Sequence, residues 1–273
     1  MYETHFKLRR KPFASYPEPE MMFWAEGHKM ARTMLVYGLT ATSGIVVITG
    51  EIGSGKTTLL THIINQDRSG HILGRLNGAV GLTDDVAAWI LFGFGMEAHG
   101  ASPTENLRRL RDFLNKAQSK KRKAVLFIDE AQLLPEAAIE EVRLLSDMQL
   151  NGAPVLQLVL LGQPELANKL NQPSLLQFRQ RIVSHYHLKA FTTEETEEYV
   201  LSRLQKAGGH PDLITPDAIK VIHERTDGVP RRINILCDTA FVYAFAQGDT
   251  QVTLETLDKV VEDRSQHGLL EIN

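Results

Sequence analysis

The sequence predicts an α/β fold, a P-loop architecture with a five-stranded parallel sheet followed by a small all-helical lid domain. Three observations predict it. Residues 50–57 read G-E-I-G-S-G-K-T, which satisfies the phosphate-binding pattern G-x-x-x-x-G-K-[ST], directly after an apolar, β-branched run. Short apolar runs then alternate with segments of helical period as far as residue 190. Beyond that point the strand pattern stops and helix-start signals recur.

Residues 1–27 are rich in proline and aromatics, and Pro12, Pro17 and Pro19 preclude a long helix there. An extended segment packed across the next domain is expected. Apolar Met30, Met34, Leu35, Tyr37 and Leu39 predict a helix over 28–39. Residues 44–49 read as a buried parallel strand, and helical spacing resumes at 58–64. Further strands are expected at 71–76, 124–128, 155–161 and 182–188. Helices are expected at 84–94, 104–117, 136–148 and 175–181. Thr192-Thr193-Glu194-Glu195 is an N-cap with an acidic first turn, opening a helix that ends at Ala207-Gly208-Gly209. Pro216 and Pro230 stand at first helical positions, and Thr253 caps a last helix. The expected domains are 1–190, the α/β domain with its extended N-terminal segment, and 191–273, the helical lid.

At 273 residues, 43% apolar and 23% charged, the chain can bury a sizeable core. A net charge of −3 gives no global push toward nucleic acid or membrane, although Lys120-Lys121-Arg122-Lys123 is a local basic cluster. The lone Cys237 excludes an internal disulfide framework and suits a reducing compartment. No run of about 18 apolar residues exists to span a bilayer. No apolar signal region follows Met1. The expected location is the cytoplasm, peripheral to the inner membrane only through a partner.

The chemistry concentrates at strand ends. Gly50, Gly53 and Gly55 let the backbone turn its N–H groups onto phosphate, flanking Ser54. Lys56 reaches the β- and γ-phosphates, and Thr57 offers a hydroxyl to Mg²⁺. The helix that begins here adds the positive end of its dipole. The apolar run 124–128 ends in Asp129 and Glu130, one acid to hold Mg²⁺ and one to polarise the attacking water. Gln163, at the end of the fourth strand, is the candidate for contact with the γ-phosphate or the water. Asn77, at the end of the second, could hold Glu130 inactive. Arg179 or Arg181 is the candidate arginine finger entering a neighbouring subunit's site. Arg231 could lean over the nucleotide from a lid helix, whereas Arg232 points about 100° away.

Together these residues resemble the AAA+ ATPases, and more narrowly the ExeA type and its short relatives in bacterial exopolysaccharide and exosortase systems. The matching stretches are Met1-Tyr2-Glu3, Lys11-Pro12-Phe13, residues 50–58, 128–132, Leu144-Leu145-Ser146, 161–166, Arg179-Gln180-Arg181 and 228–234. The resemblance implies ATP and Mg²⁺ as cofactors, with nucleotide contacts by Gly53, Gly55, Lys56, Thr57 and Thr58. It implies Walker B roles for Asp129 and Glu130, a sensor 1 role for Gln163 and a sensor 2 role for Arg231. Pro12 and Phe13 are expected near the adenine. The implied partners are further copies of the chain, as a ring or filament, and membrane-associated secretion or polysaccharide-export proteins. Long secretion members continue into a membrane span and a peptidoglycan-binding domain; with the sequence stopping at Asn273, direct cell-wall binding is not expected. The same module resembles transposition regulators of the TniB and TnsC type, so an ATP-dependent DNA-binding regulator is the alternative. Its candidate DNA contacts are Arg108, Arg109, Arg111 and the 120–123 cluster. His185 and His187 lack a metal-ligand set, and Trp24, Trp89 and Cys237 are expected to be packing residues.

Overall fold

The computed structural model describes the chain except Ser15, Pro17, Glu18, 41–43, 67–69, Thr83, 98–100, 151–152 and 268–273. It divides into an α/β unit, residues 28–50 and 59–188, and a helical unit, residues 1–27, 51–58 and 189–273.

The α/β unit carries strands β1 (Ile45–Gly50), β2 (Ile72–Asn77), β3 (Ala124–Asp129), β6 (Leu156–Gly162) and β7 (Ile182–Leu188) in one parallel sheet of order β2-β3-β6-β1-β7. β4 (Gln149–Leu150) and β5 (Ala153–Pro154) form a separate antiparallel pair. The three central strands read IVVITG, AVLFID and LQLVLLG and are buried along their whole length. Such unbroken apolar runs are what a strand covered on both faces requires. The edge strand β2 (ILGRLN) alternates buried and exposed over its second half. Because all strands are parallel, the ends of β1, β6 and β3 lie side by side, with Thr49 level with Gly162 and Ile128 with Leu160.

Helix α1 (Glu26–Thr40) precedes the first strand, and α2 (Lys56–Gln66), α3 (Val86–Gly93), α4 (Pro103–Ser119), α5 (Glu136–Ser146), α6 (Pro164–Leu170) and α7 (Leu176–Gln180) lie between the strands. The α3 and α4 helices are tied by one carboxylate: Asp85 caps Ala88 N at 3.0 Å and accepts Asn106 Nδ2 at 2.8 Å. Trp89 fills the core beneath, its ring N–H donating to Val80 O at 2.9 Å. Gln157, buried in β6, donates to Gly38 O and Gly44 O and so fixes the end of α1 over the sheet. The α6 helix, which is not among the expected helices, starts at Pro164. Proline at the first helical position lacks only an N–H that has no helical partner anyway.

The helical unit packs α8 (Thr193–Lys206), α9 (Pro216–Thr226), α10 (Pro230–Gln247) and α11 (Leu254–His267) around Leu236, Ala240 and Phe241. The α8 helix begins with a full capping box between Thr192 and Glu195. The described part of residues 1–27 belongs to this unit, whereas the expected boundary put it in the 1–190 domain. The reason is aromatic: Tyr2, Phe6 and Phe13 surround Phe241 at ring-centroid distances of 5.4, 4.9 and 6.1 Å. The buried Arg203 guanidinium then donates to the carbonyls of Pro12, Ala14 and Met21, satisfying a backbone that has no ladder of its own. Among the described residues no helix is long and apolar enough to cross a membrane.

Candidate nucleotide and hydrolysis site

β1 ends at Gly50, and the loop 51–55 turns the chain into α2 at Lys56. Gly53 and Gly55 sit at φ of 81° and 100°, conformations that glycine adopts without strain. Ser54 N donates to Glu51 O at 3.1 Å and closes the turn. Lys56 is buried, with Nζ donating to Glu51 O at 2.8 Å. Thr57 and Thr58 occupy the first turn of α2, where backbone N–H groups and the helix dipole favour an anion. The start of α10 lies against this loop: Arg231 N donates to Gly53 O at 3.2 Å. A Cβ on Gly53 would stand 2.4 Å from Arg231 Cβ, so glycine is required by contact as well as by φ. Of the two neighbouring arginines, Arg231 is the one at the loop. Arg232 turns away to Asp227 at 2.9 Å.

The acids form a cluster of their own in the α/β unit. Asp129 ends β3, buried, with Oδ1 accepting Glu130 N at 3.1 Å and Oδ2 accepting Arg75 Nη2 at 3.2 Å. Glu130 has φ 51°, a left-handed conformation uncommon for a residue with a side chain. Its Oε2 accepts two carboxamide donors, Gln132 Nε2 at 2.7 Å and Gln163 Nε2 at 3.1 Å. Gln132 closes the ring by accepting Gln163 N on Oε1 at 3.1 Å. Gly162 makes this possible, because a Cβ there would lie 2.9 Å from Gln132 Oε1 and 2.7 Å from Leu166. Lys169 pins the turn 131–133 from below, with Nζ on Gln132 O and Leu134 O at 2.5 and 2.8 Å. One carboxylate oxygen of Glu130 is thus fixed in direction by two neutral donors, the arrangement needed to aim a general base. Asn77 is exposed and makes no hydrogen bond to Glu130; Gln132 and Gln163 take that place.

Arg181 is held by Asp147 at 3.1 Å, within a network in which Arg143 also binds Asp147 and Glu140. Arg179 is exposed, and its contact to Asn171 is at 3.5 Å, the outer limit of a hydrogen bond. Pro12 and Phe13 are both buried, and the Phe13 ring has no exposed surface to offer an adenine. The basic residues suggested for DNA are largely engaged. Arg108 and Arg109 share Glu105, Arg122 donates to Gly70 O and His71 O, and Lys123 donates to Leu39 O. Residues that sequence reasoning missed are Arg75, Gln132 and Lys169. Only Gln132 carried a local signal, as the last residue of the I-D-E-A-Q run.

The AAA domain profile matches residues 40–170, which contain the loop, β3 with its two acids and Gln163. Over 254 residues the chain is 36% identical to general secretion pathway protein A of Aeromonas hydrophila, covering 92% of this chain and 46% of that protein. The chain belongs to the AAA+ ATPases. Within them its likeness is to the ExeA type, and it spans about half the length of that curated relative. Solved AAA-like structures share the fold. The Aeropyrum pernix ORC2 protein in its ADP form superposes with a TM-score of 0.67 at 19% identity, covering 97% of this chain and 75% of that one. Cdc6p of Pyrobaculum aerophilum gives 0.66 at 16%, covering 88% and 67%. The Thermotoga maritima RuvB Holliday junction branch migration motor gives 0.53 at 19%, covering 88% and 69%. At these identities the likeness establishes the fold alone. As an AAA+ protein the chain belongs to a family of nucleotide-binding ATPases.

Proposed function

We propose that this AAA+ protein hydrolyses ATP to ADP and phosphate as an oligomeric switch or motor for a bacterial secretion or exopolysaccharide-export assembly. The observation that carries the hydrolytic part is the Glu130 carboxylate held by Gln132 and Gln163 beside Asp129. A protein that only stored nucleotide would need no aimed base. In this reading Gly50, Gly53, Ser54, Gly55, Lys56, Thr57 and Thr58 grip the phosphates, and Arg231 reports the γ-phosphate to α10. Thr57 and Asp129 hold Mg²⁺. Their donor chemistry fits, since hydroxyl and carboxylate oxygens are hard ligands and Asp129 already accepts a cationic group from Arg75. When bound, the metal supplies neutralisation of phosphate charge. Glu130 takes a proton from the attacking water, and Gln163 orients that water or the γ-phosphate.

The lid assignment to 191–273 belongs to the same proposal, as does a neighbouring copy supplying the finger. Arg179 suits that role better than Arg181, because Asp147 already neutralises Arg181. The Aeromonas hydrophila relative supports the secretion role, and with that role goes a cytoplasmic location against the inner membrane through a partner, as part of the same proposal.

The test is ATPase rate against protein concentration, with and without duplex DNA. A site completed by a second copy gives a rate rising more steeply than linearly, and Arg179→Ala removes that rise while Arg181→Ala leaves it. A strictly linear rate would refute the shared site. Salt-dependent DNA binding together with DNA-stimulated turnover would transfer the protein to the transposition-regulator reading.

A further inference from the structure

Arg75 lies on the edge strand β2, level with Phe127 and two residues before the pair Asn77–Asp129. Its guanidinium reaches along the strand to Asp129 Oδ2 at 3.2 Å. The two partners are unequal: the Arg75 side chain is 42% exposed and that of Asp129 only 4%. A carboxylate taken out of water needs positive charge or hydrogen bonds close by, and Arg75 supplies a share of both. A half-exposed arginine can swing back into solvent at little cost, whereas Asp129 at the end of a buried strand cannot move. A divalent cation loaded on that carboxylate would sit against the guanidinium as a like charge, in a place that water screens only in part.

We infer that Arg75 is a counter-ion displaced by metal. It neutralises Asp129 in the metal-free protein and leaves Oδ2 when the cation loads. Arg75 therefore sets how much free Mg²⁺ the site requires, and it makes the position of an edge-strand arginine report whether the metal is present. The inference rests on the reading of Asp129 as a metal contact.

The test uses Mn²⁺ as probe, on the full chain in molar excess over a non-hydrolysable ATP analogue, with free Mn²⁺ read by electron paramagnetic resonance. Arg75→Gln removes the competing charge and should tighten the apparent Mn²⁺ dissociation constant about threefold to fivefold, the worth of a partly exposed ion pair. Arg75→Lys, which keeps a cation on the same strand, should fall between Arg75→Gln and wild type. A merely structural arginine would weaken Mn²⁺ binding when lost, or leave it unchanged. Either result, with thermal melting showing the variants folded, would overturn the inference. Asp129→Asn separates the two levels of the argument. If it binds Mn²⁺ as wild type does, the metal role of Asp129 fails first and the inference falls with it. If it loses Mn²⁺ while Arg75→Gln does not gain, only the counter-ion role fails.

Discussion

The loop at 50–57 and the acid cluster at the ends of β3 and β6 contrast in how they are built. The loop is shaped by its backbone: two glycines at positive φ, a closed turn from Ser54 to Glu51, and an α10 backbone N–H resting on Gly53. The acid cluster is shaped by side chains: two carboxamides on Glu130, a guanidinium on Asp129 and an ammonium beneath. Backbone shape suits a ligand with many equivalent oxygens, which any N–H can meet. A reacting group needs one atom aimed in one direction, and side-chain hydrogen bonds aim it. The difference teaches that binding and turnover should be separable by mutation.

The largest expected effect breaks the second region alone. Glu130→Gln keeps size and hydrogen-bonding capacity but removes the base, so kcat should fall by about 10²- to 10⁴-fold. Affinity for a fluorescent ATP analogue should stay within about threefold, since Glu130 is assigned to the attacking water and not to the phosphates. Phosphate release and analogue titration check the two halves; undiminished turnover would remove Glu130 from its role. Next is the complementary break. Lys56→Ala should weaken nucleotide binding about tenfold to a hundredfold, the worth of a charge-assisted contact. Equilibrium titration of the analogue reads it directly.

The contrast sharpens with two glycine substitutions of equal size. Gly53→Ala forces a side chain into φ 81° and against Arg231 Cβ at 2.4 Å, costing about 1–3 kcal/mol. It should lower both the melting temperature and nucleotide affinity. Gly162→Ala meets Gln132 Oε1 at 2.9 Å and pushes the carboxamide off Glu130, so it should lower kcat several-fold at constant nucleotide affinity. Equal loss of affinity in both variants would show that the regions are not separable.

This division also explains what was legible in the sequence. A backbone-built loop needs glycine at fixed offsets, so the motif at 50–57 and the strand before it could be read directly. The parallel sheet was legible for the same reason, because strands buried on both faces are written as unbroken apolar runs such as AVLFID. Side-chain clusters leave no such spacing. Gln132 and Gln163 are 31 residues apart, and Arg75 precedes Asp129 by 54; only the folded sheet brings each pair into contact. Pro12 and Phe13 were expected near the adenine only through the resemblance to AAA+ proteins, as part of the segment before the first strand. The Phe13 ring is instead taken up by Phe241, and the carbonyls around it by Arg203, a long-range pairing that no local pattern announces. The α6 helix could have been found, since Pro164 opens it as Pro216 and Pro230 open theirs.

The smallest expected effect lies one residue before the loop, where a side-chain device meets the backbone-built region. On β7, His185 Nε2 and His187 Nδ1 both lie on Thr49 Oγ1, at 3.1 and 3.0 Å. A hydroxyl has one proton, so it donates to one ring nitrogen and accepts from the other. Burial, and then the nearby His187, push the His185 pKa below its usual 6.5. The unfolded chain therefore binds more protons than the folded one between that depressed value and 6.5. The stabilisation is fully present above about pH 6.5 and is lost as pH falls through the folded value. Both rings are partly open to water, which screens the effect, so the loss should stay under about 1 kcal/mol, or roughly 2–4 °C in melting temperature. His185→Gln keeps a hydrogen-bonding group but cannot titrate, so its melting temperature should fall less than that of wild type between pH 7.5 and 5.5. Parallel acid dependence in the two proteins would place the sensitivity elsewhere.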